Sequence, residues 1–122
     1  MDRTNTRKLT VLATLIITVS FCYDVFSQDY RILVTNDDGI ESPLLHNLVA
    51  NLASLRRVEI VVAAPDQNQS GSSQSSVGGP LIVEKVSIEG ATEAYSISGR
   101  PADAVRFAVV QLQNPNKFDL MI

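Results

Sequence analysis

The chain has few of the residues on which several common kinds of site depend. Its 122 residues include one histidine, one cysteine and no tryptophan. A single histidine does not build a zinc site, and His46 falls inside a predicted helix, away from the strand ends where a catalytic group is expected. The single cysteine, Cys22, allows no disulfide within the chain. The sequence therefore supports neither zinc chemistry nor a histidine-based triad.

The chain also lacks an apolar run long enough for a typical transmembrane helix. The most apolar stretch is residues 9–23, shorter than the ~20 residues that a spanning helix needs. It follows a basic segment, and Val25 and Ser27 place short side chains at the two positions that a signal peptidase reads. We interpret residues 1–27 as a signal peptide and residues 28–122 as the exported domain, which predicts a secreted or periplasmic protein without a stable membrane anchor. A membrane anchor and a lipoprotein modified at Cys22 are the alternatives.

Basic residues are scarce in the exported part. The chain has 10 Lys and Arg against 13 Asp and Glu, and removing residues 1–27 takes away three basic and two acidic groups. The remainder has a net charge of −4, which gives no electrostatic footprint for a nucleic-acid polymer. A small phosphate ester bound through a metal ion is compatible with this charge. The content of 45% hydrophobic and 19% charged residues is typical of a globular domain.

Strand-like and helix-like patterns alternate along the exported part. Apolar runs predict strands at Arg31–Thr35, Val58–Ala63, Leu81–Val86, Ala94–Ile97 and Phe118–Ile122. Helical spacing of apolar residues predicts helices from Ser42–Pro43 to Arg56–Arg57 and from Pro101 to Asn114. The first strand, helix and strand form a βαβ unit with parallel strands, and the third and fourth strands suggest an antiparallel hairpin. The last strand is predicted to be buried, which leads us to expect the amino-terminal part of a larger α/β domain.

Two adjacent carboxylates, Asp37 and Asp38, directly follow the first predicted strand. In an open α/β sheet, ligands bind beyond the carboxyl ends of the strands. Two acids at that point concentrate negative charge, which a hard cation neutralises. The sequence therefore predicts a metal site at this strand end. The alternative is an ordinary turn rich in Asn, Asp and Gly.

Two further loops follow predicted strands. Residues 66–79 form a long polar loop whose hydroxyls and backbone amides suit a phosphate, and parallel strands would bring it to the same rim as the carboxylates. A flexible linker is the alternative. Arg100 precedes the second helix, whose amino terminus can bind an anion. The Arg100 side chain either contacts a phosphate or remains solvated. Asp103 is in the first turn, where it suits the helix dipole.

Three segments together resemble the SurE survival-protein family: Ile32–Gly39, Val61–Ser75 and Gly99–Val105. The resemblance covers almost all of the exported part. It implies an α/β, Rossmann-like three-layer sandwich with a mostly parallel sheet, truncated here at its carboxyl end. It also implies a nucleotidase that hydrolyses nucleoside monophosphates with a divalent cation, Mg²⁺ or Mn²⁺, and a homo-oligomer of the full-length protein.

The resemblance also suggests roles for individual residues. The family's paired acids, which act in catalysis and metal binding, fall on Asp37 and Asp38, and its metal-binding serine falls on Ser70. Four further positions are predicted to contact the substrate: Asn36, Gly71, Ser75 and Arg100. The family's fourth ligand, an asparagine in a Ser-Gly-Ile-Asn segment, has no counterpart in these residues, and Arg100 replaces a usual threonine. These departures motivate two alternatives, an exported nucleotide- or phosphate-binding protein without turnover and an inactive fragment without a stable fold.

Overall fold

Five strands form one mixed sheet in the computed structural model, which describes residues 29–113 and 115–122. The strands are β1 (Tyr30–Val34), β2 (Val58–Pro65), β3 (Val83–Val86), β4 (Glu93–Ile97) and β5 (Leu120–Met121). The helices are α1 (Pro43–Ala53) and α2 (Pro101–Phe107), and α2 continues as a π-helical segment, Ala108–Leu112. The predicted signal peptide, residues 1–27, lies outside the described residues. None of the helices in the described part of the chain is long and apolar enough to cross a membrane.

The sheet order is β3-β4-β2-β1-β5. β1 pairs with β2 in parallel, with Val34 opposite Val62, and β2 pairs with β4 in parallel, with Pro65 opposite Ile97. This confirms the predicted βαβ unit. β3 pairs with β4 in the antiparallel direction, as the hairpin prediction required. The carboxyl ends of β1, β2 and β4 therefore meet at one edge of the sheet, and the loops that follow them share a rim.

Both faces of the sheet are covered, so the predicted three-layer α/β arrangement is confirmed. β1 shows the reason: Ile32 and Val34 pack into the cluster that includes residues of α1, whereas Leu33 packs into the cluster with α2. Alternate side chains of a strand point to opposite faces. Because each face carries a helix, the central strands are continuously apolar. Burial of one such side chain contributes about 1.5–3 kcal/mol.

The first helix is shorter than predicted. α1 begins at Pro43 as expected but ends at Ala53, so Arg56 and Arg57 do not close it and no basic residue lies in its last turn. Arg57 has a φ of 62° and belongs to the turn into β2. The helical spacing of apolar residues predicts that Leu44 and Leu55 face the core, but they are 73% and 55% exposed. Leu44 lies on the outer face of the first helical turn, and Leu55 follows the end of the helix.

The prediction of a buried strand over residues 118–122 is wrong about burial. β5 contains only Leu120 and Met121, which are 44% and 54% exposed. In the described part of the chain β5 pairs on one side only, with Leu120 opposite Ile32 of β1. An edge position explains the exposure, because an edge strand has a neighbour on one side only.

Candidate functional site

The turn after β1 directs two carboxylates to the surface. The Asn36 side-chain Nδ2 donates to the Gly39 carbonyl oxygen at 3.0 Å, and the Ser42 backbone N–H donates to the same oxygen at 3.1 Å. These bonds close the turn that leads into α1. Within it, Asp37 and Asp38 are exposed. The turn thus holds two adjacent acids at the carboxyl edge of the sheet, where the sequence predicted them.

The loop after β2 packs directly against this turn. The Ile40 N–H donates to the Pro65 carbonyl at 2.7 Å, and the Gln69 N–H donates to the Asp37 carbonyl at 2.7 Å. Gly39 has a φ of +98°, and a Cβ built on it would lie 2.9 Å from the Gln67 carbonyl carbon. Real Cβ atoms do not approach backbone so closely. Glycine is therefore required where the two loops meet, because its φ is positive and because a Cβ would collide with the backbone of the facing loop.

Asp38, Asn68 and Ser70 meet where these loops touch. Asn68 Nδ2 donates to Asp38 Oδ1 at 3.1 Å, and the Ser70 hydroxyl lies 3.4 Å from the same oxygen. The Asn68 Oδ1 accepts the Ser70 backbone N–H at 2.9 Å. Asp37 contacts the same loop through its backbone carbonyl, which accepts the Gln69 N–H. The structure thus brings the side chains of Asp38 and Ser70 together across 32 positions of sequence, and Asp37 is next to Asp38 in the same turn.

The donor atoms at this edge fit a hard divalent cation. The two carboxylates and the Ser70 hydroxyl are oxygen donors, and the buried Asn36 Oδ1 and Thr35 Oγ1 have no hydrogen-bond partner among the described residues. Within residues 29–113 and 115–122, no group of three or more His, Cys, Asp and Glu side chains is placed to hold a metal. A cation here would need neutral oxygens beside the two carboxylates. Such a set suits Mg²⁺, Mn²⁺ or Ca²⁺ and does not suit zinc.

The remaining predicted substrate contacts are Gly71, Ser75 and Arg100. Gly71 is exposed, with a φ of +87°, and no atom of the described part of the chain lies within 4 Å of where its Cβ would be. Ser75 donates its hydroxyl proton to the Ser72 carbonyl within the same loop. Arg100 precedes α2. No hydrogen bond or ion pair of the described residues joins Gly71, Ser75 or Arg100 to the carboxylates, so their roles, like that of Asn36, stay predictions.

The role of Asn68 was not predicted from the sequence, and the environment of Asp103 was predicted only in part. Asn68 stands two positions before Ser70, the spacing of a turn closed by an Asn side chain, which was the available signal.

Asp103 does lie in the first turn of α2, but it is fully buried. Its carboxylate accepts the Val77 and Arg100 N–H groups at 2.9 and 3.1 Å and the Arg106 guanidinium at 2.9 Å. Asp103 thus ties the end of the polar loop to the start of α2.

His46 has a structural environment. It lies in α1, half-buried, with its Nε2 2.9 Å from the Ile40 carbonyl oxygen. For the ring to donate here, Nε2 must carry the proton. The contact links the first turn of α1 to the residue that follows Gly39.

The sequence profile of the family described as "Survival protein SurE" matches residues 32–122. This chain belongs to the SurE family. It is 41% identical over 95 residues to a protein named 5'-nucleotidase SurE from Clostridium kluyveri, and 38% identical over 93 residues to one of the same name from Vibrio parahaemolyticus. Each match covers 75% of this chain, but 38% and 34% of the respective relatives. The chain therefore spans little more than a third of their length.

A solved structure agrees with the fold. The crystal structure of the SurE protein from Aquifex aeolicus superposes with a TM-score of 0.61 at 36% sequence identity. The match covers 75% of this chain and 35% of that one. Membership of the SurE family and the Rossmann-like α/β sheet are thus supported by both sequence and structure.

Proposed function

We propose that the full-length protein containing this chain is a metal-dependent phosphomonoester hydrolase that acts on nucleoside monophosphates. The observation that carries this proposal is the convergence of Asp38 and Ser70, 3.4 Å apart at the shared edge of β1 and β2. Relatives named 5'-nucleotidase support the substrate class. A small nucleotide also suits the acidic charge of the chain better than a nucleic-acid polymer does.

Asp37, Asp38 and Ser70 would hold the cation, for which we propose Mg²⁺ or Mn²⁺. When bound, such an ion polarises phosphoryl oxygens and lowers the pKa of water, which generates the nucleophile at neutral pH. The chain's own contribution is to fix the two acids in a closed turn and to bring a hydroxyl to them from the next loop. Because Asp37 and Asp38 are adjacent and exposed, substrate can reach them from the solvent side.

The polar loop and the start of α2 would bind the substrate. The Ser75 hydroxyl and the backbone around Gly71 offer hydrogen bonds to phosphate oxygens, and the Arg100 guanidinium offers a charge-assisted one. For Asn36 we propose a contact through its side-chain Oδ1, which has no partner in the described residues and, as an acceptor, suits a substrate hydroxyl rather than a phosphate oxygen. Arg100 replaces the small residue usual in the family and is therefore a candidate determinant of substrate choice.

Location and assembly are part of the same proposal. A signal peptide at residues 1–27 would export the protein to the periplasm or the medium, without a membrane anchor. The full-length protein would form a homo-oligomer. A fusion of residues 1–27 to a reporter enzyme tests the first point, because export followed by cleavage after Ser27 is expected and retention of the uncleaved fusion would contradict it.

Substitution of Asp38 tests the activity. In the full-length protein, Asp38→Asn should lower Mn²⁺-dependent phosphate release from 5'-AMP by at least about 100-fold, because it removes a charged ligand. Glu41→Gln is the matched control, since Glu41 is an exposed carboxylate three positions along the chain. Unchanged release by Asp38→Asn would refute the assignment. Nucleotide binding by the wild-type protein without phosphate release would instead identify a binding protein.

A further inference from the structure

Asn68 has a position that the metal-ligand pattern does not explain. Its side-chain amide bridges two of the three candidate ligands: Nδ2 donates to Asp38 Oδ1 at 3.1 Å, and Oδ1 accepts the Ser70 N–H at 2.9 Å. The two contacts use different ends of one rigid, planar group. The distance and orientation between Asp38 and Ser70 are therefore set by the size of this amide.

The bridge gives the two oxygens of Asp38 different roles. Oδ1 receives both the Asn68 amide and the Ser70 hydroxyl. In the described part of the chain, Oδ2 has no hydrogen-bond partner. An amide donor held against one oxygen stops the carboxylate from rotating freely, so Oδ2 keeps a fixed direction. Outer partners of this kind orient ligating carboxylates in metal sites.

The backbone of Asn68 is also held in place. A Cβ at Gly39 would lie 3.2 Å from the Asn68 backbone nitrogen and 2.9 Å from the Gln67 carbonyl carbon. The next residue, Gln69, donates its N–H to the Asp37 carbonyl at 2.7 Å. Contacts on both sides thus fix the point from which the Asn68 side chain extends, and an exposed loop residue acquires a defined geometry.

We propose that Asn68 is a positioning residue that orients the Asp38 carboxylate and the Ser70 hydroxyl for the cation without binding the cation itself. The inference rests on the proposed function, which supplies the cation. Asn68 is not placed as a ligand in this arrangement, because its Oδ1 is directed to the Ser70 N–H and its Nδ2, not an oxygen, is directed to the Asp38 carboxylate. Its donor end faces Asp38 and would repel a cation.

The test measures metal affinity in the absence of substrate. The dissociation constant of Mn²⁺ is determined by the electron paramagnetic resonance of free Mn²⁺ for the full-length wild type, Asn68→Ala and Gln74→Ala. Asn68→Ala should weaken binding by about 10- to 100-fold, the usual effect of losing an outer partner of a metal ligand. Gln74→Ala, an exposed amide of the same loop, should bind Mn²⁺ like the wild type.

Phosphate release gives a second readout that a merely structural role would not produce. With 5'-AMP as substrate, the Mn²⁺ concentration for half-maximal rate should rise for Asn68→Ala by the same factor as the dissociation constant. Excess Mn²⁺ should then restore kcat, with the KM for 5'-AMP unchanged. A kcat that stays low at saturating Mn²⁺ would overturn the positioning role.

The controls separate this proposal from the nucleotidase proposal. Thermal unfolding without metal checks that Asn68→Ala is folded; if it is not, Asn68→Ser, which keeps a polar turn residue, takes its place under the same expectations. Wild-type affinity for Mn²⁺ in the variant would overturn the role of Asn68 while leaving the nucleotidase intact. Tighter Mn²⁺ binding by the wild type than by the variant, without phosphate release, would support Asn68 and refute the nucleotidase. No Mn²⁺ binding by the wild type would overturn both.

Discussion

Substitution of Gly39 by alanine should damage the candidate site through the backbone rather than through a ligand. Gly39 has a φ of +98°, and its missing Cβ would lie 2.9 Å from the Gln67 carbonyl carbon and 3.2 Å from the Asn68 nitrogen. Both of these neighbours are backbone atoms of the facing loop. An alanine must therefore separate the two loops or distort the turn that holds Asp37 and Asp38.

The expected loss of stability has two parts. An L-residue at this φ is strained by about 1–3 kcal/mol, and forcing a methyl group into occupied space adds about 1–3 kcal/mol. Gly71 separates these parts, because its φ of +87° is similar but no atom of the described residues lies within 4 Å of its missing Cβ. Gly71→Ala therefore suffers the backbone strain without the steric clash. Replacing glycine by alanine also lowers the conformational entropy of the unfolded chain, and this stabilisation of about 0.4–1 kcal/mol is the same in both variants. The difference between the two variants should then be about 1–3 kcal/mol.

Gly90 provides the control for site specificity. Its φ is +88°, and a Cβ there would lie 2.9 Å from the Ala53 Cβ, so alanine is both strained and crowded. Gly90 precedes β4, at the opposite edge of the sheet from the carboxylates. Gly90→Ala should lower stability about as much as Gly39→Ala but leave the Mn²⁺ dissociation constant within about twofold, because distant sites are nearly independent.

The assay is urea unfolding of the three full-length variants without metal, followed by Mn²⁺ titration. Gly39→Ala should be the only one of the three that combines a large loss of stability with at least about tenfold weaker Mn²⁺ binding. If Gly39→Ala and Gly71→Ala have equal free energies of unfolding, the clash between the two loops does not contribute to the loss of stability. If Gly39→Ala binds Mn²⁺ like the wild type, the loop contact does not position the ligands.

Two further predictions concern residues outside the metal site. Asp103→Ala leaves the Val77 and Arg100 N–H groups without their acceptor, so the free energy of unfolding should fall by about 2–5 kcal/mol and amide hydrogen exchange at Val77 should accelerate; unchanged exchange would contradict the anchoring role. The pKa of Glu93 is lowered, mainly by its hydrogen bond with Lys85, at 3.0 Å. Glu93 therefore stabilises the fold above its unfolded pKa, and this contribution is lost as pH falls through the lower folded pKa. The Tm of Glu93→Gln should be lower than that of the wild type at neutral pH, and the two Tm values should converge as the pH falls to about 3.

The sheet could be predicted largely because the apolar runs of its central strands are uninterrupted. β2 is buried from Ile60 to Pro65, which matches a strand covered on both faces. The end of α1 could not be predicted in the same way, because apolar Leu55 continues the helical spacing although the chain turns at Arg57 with a φ of 62°. Periodicity describes which residues can share a face, but it does not show where the chain leaves the helix.

The candidate site was predictable to the level of loops and not to the level of contacts. Adjacent acids after one strand and a serine-rich loop after its parallel neighbour are enough to place Asp37, Asp38 and Ser70 at one edge. The bridge from Asn68 to Asp38 spans 30 positions of sequence, and the bond from Asp103 to Val77 spans 26. Such contacts depend on the tertiary packing of two loops, which no local pattern specifies.

The register of β1 against β2 determines how these loops meet. Val34 lies opposite Val62, and β2 continues to Pro65, beyond the last residue of β1. This overhang places the Pro65 carbonyl over the turn after β1, where it accepts the Ile40 N–H at 2.7 Å. A slip of one residue would move Pro65 by about 3.3 Å and turn its neighbours to the opposite face. The register therefore brings the two loops into contact, and within that contact the Asn68 amide sets the spacing of Asp38 and Ser70.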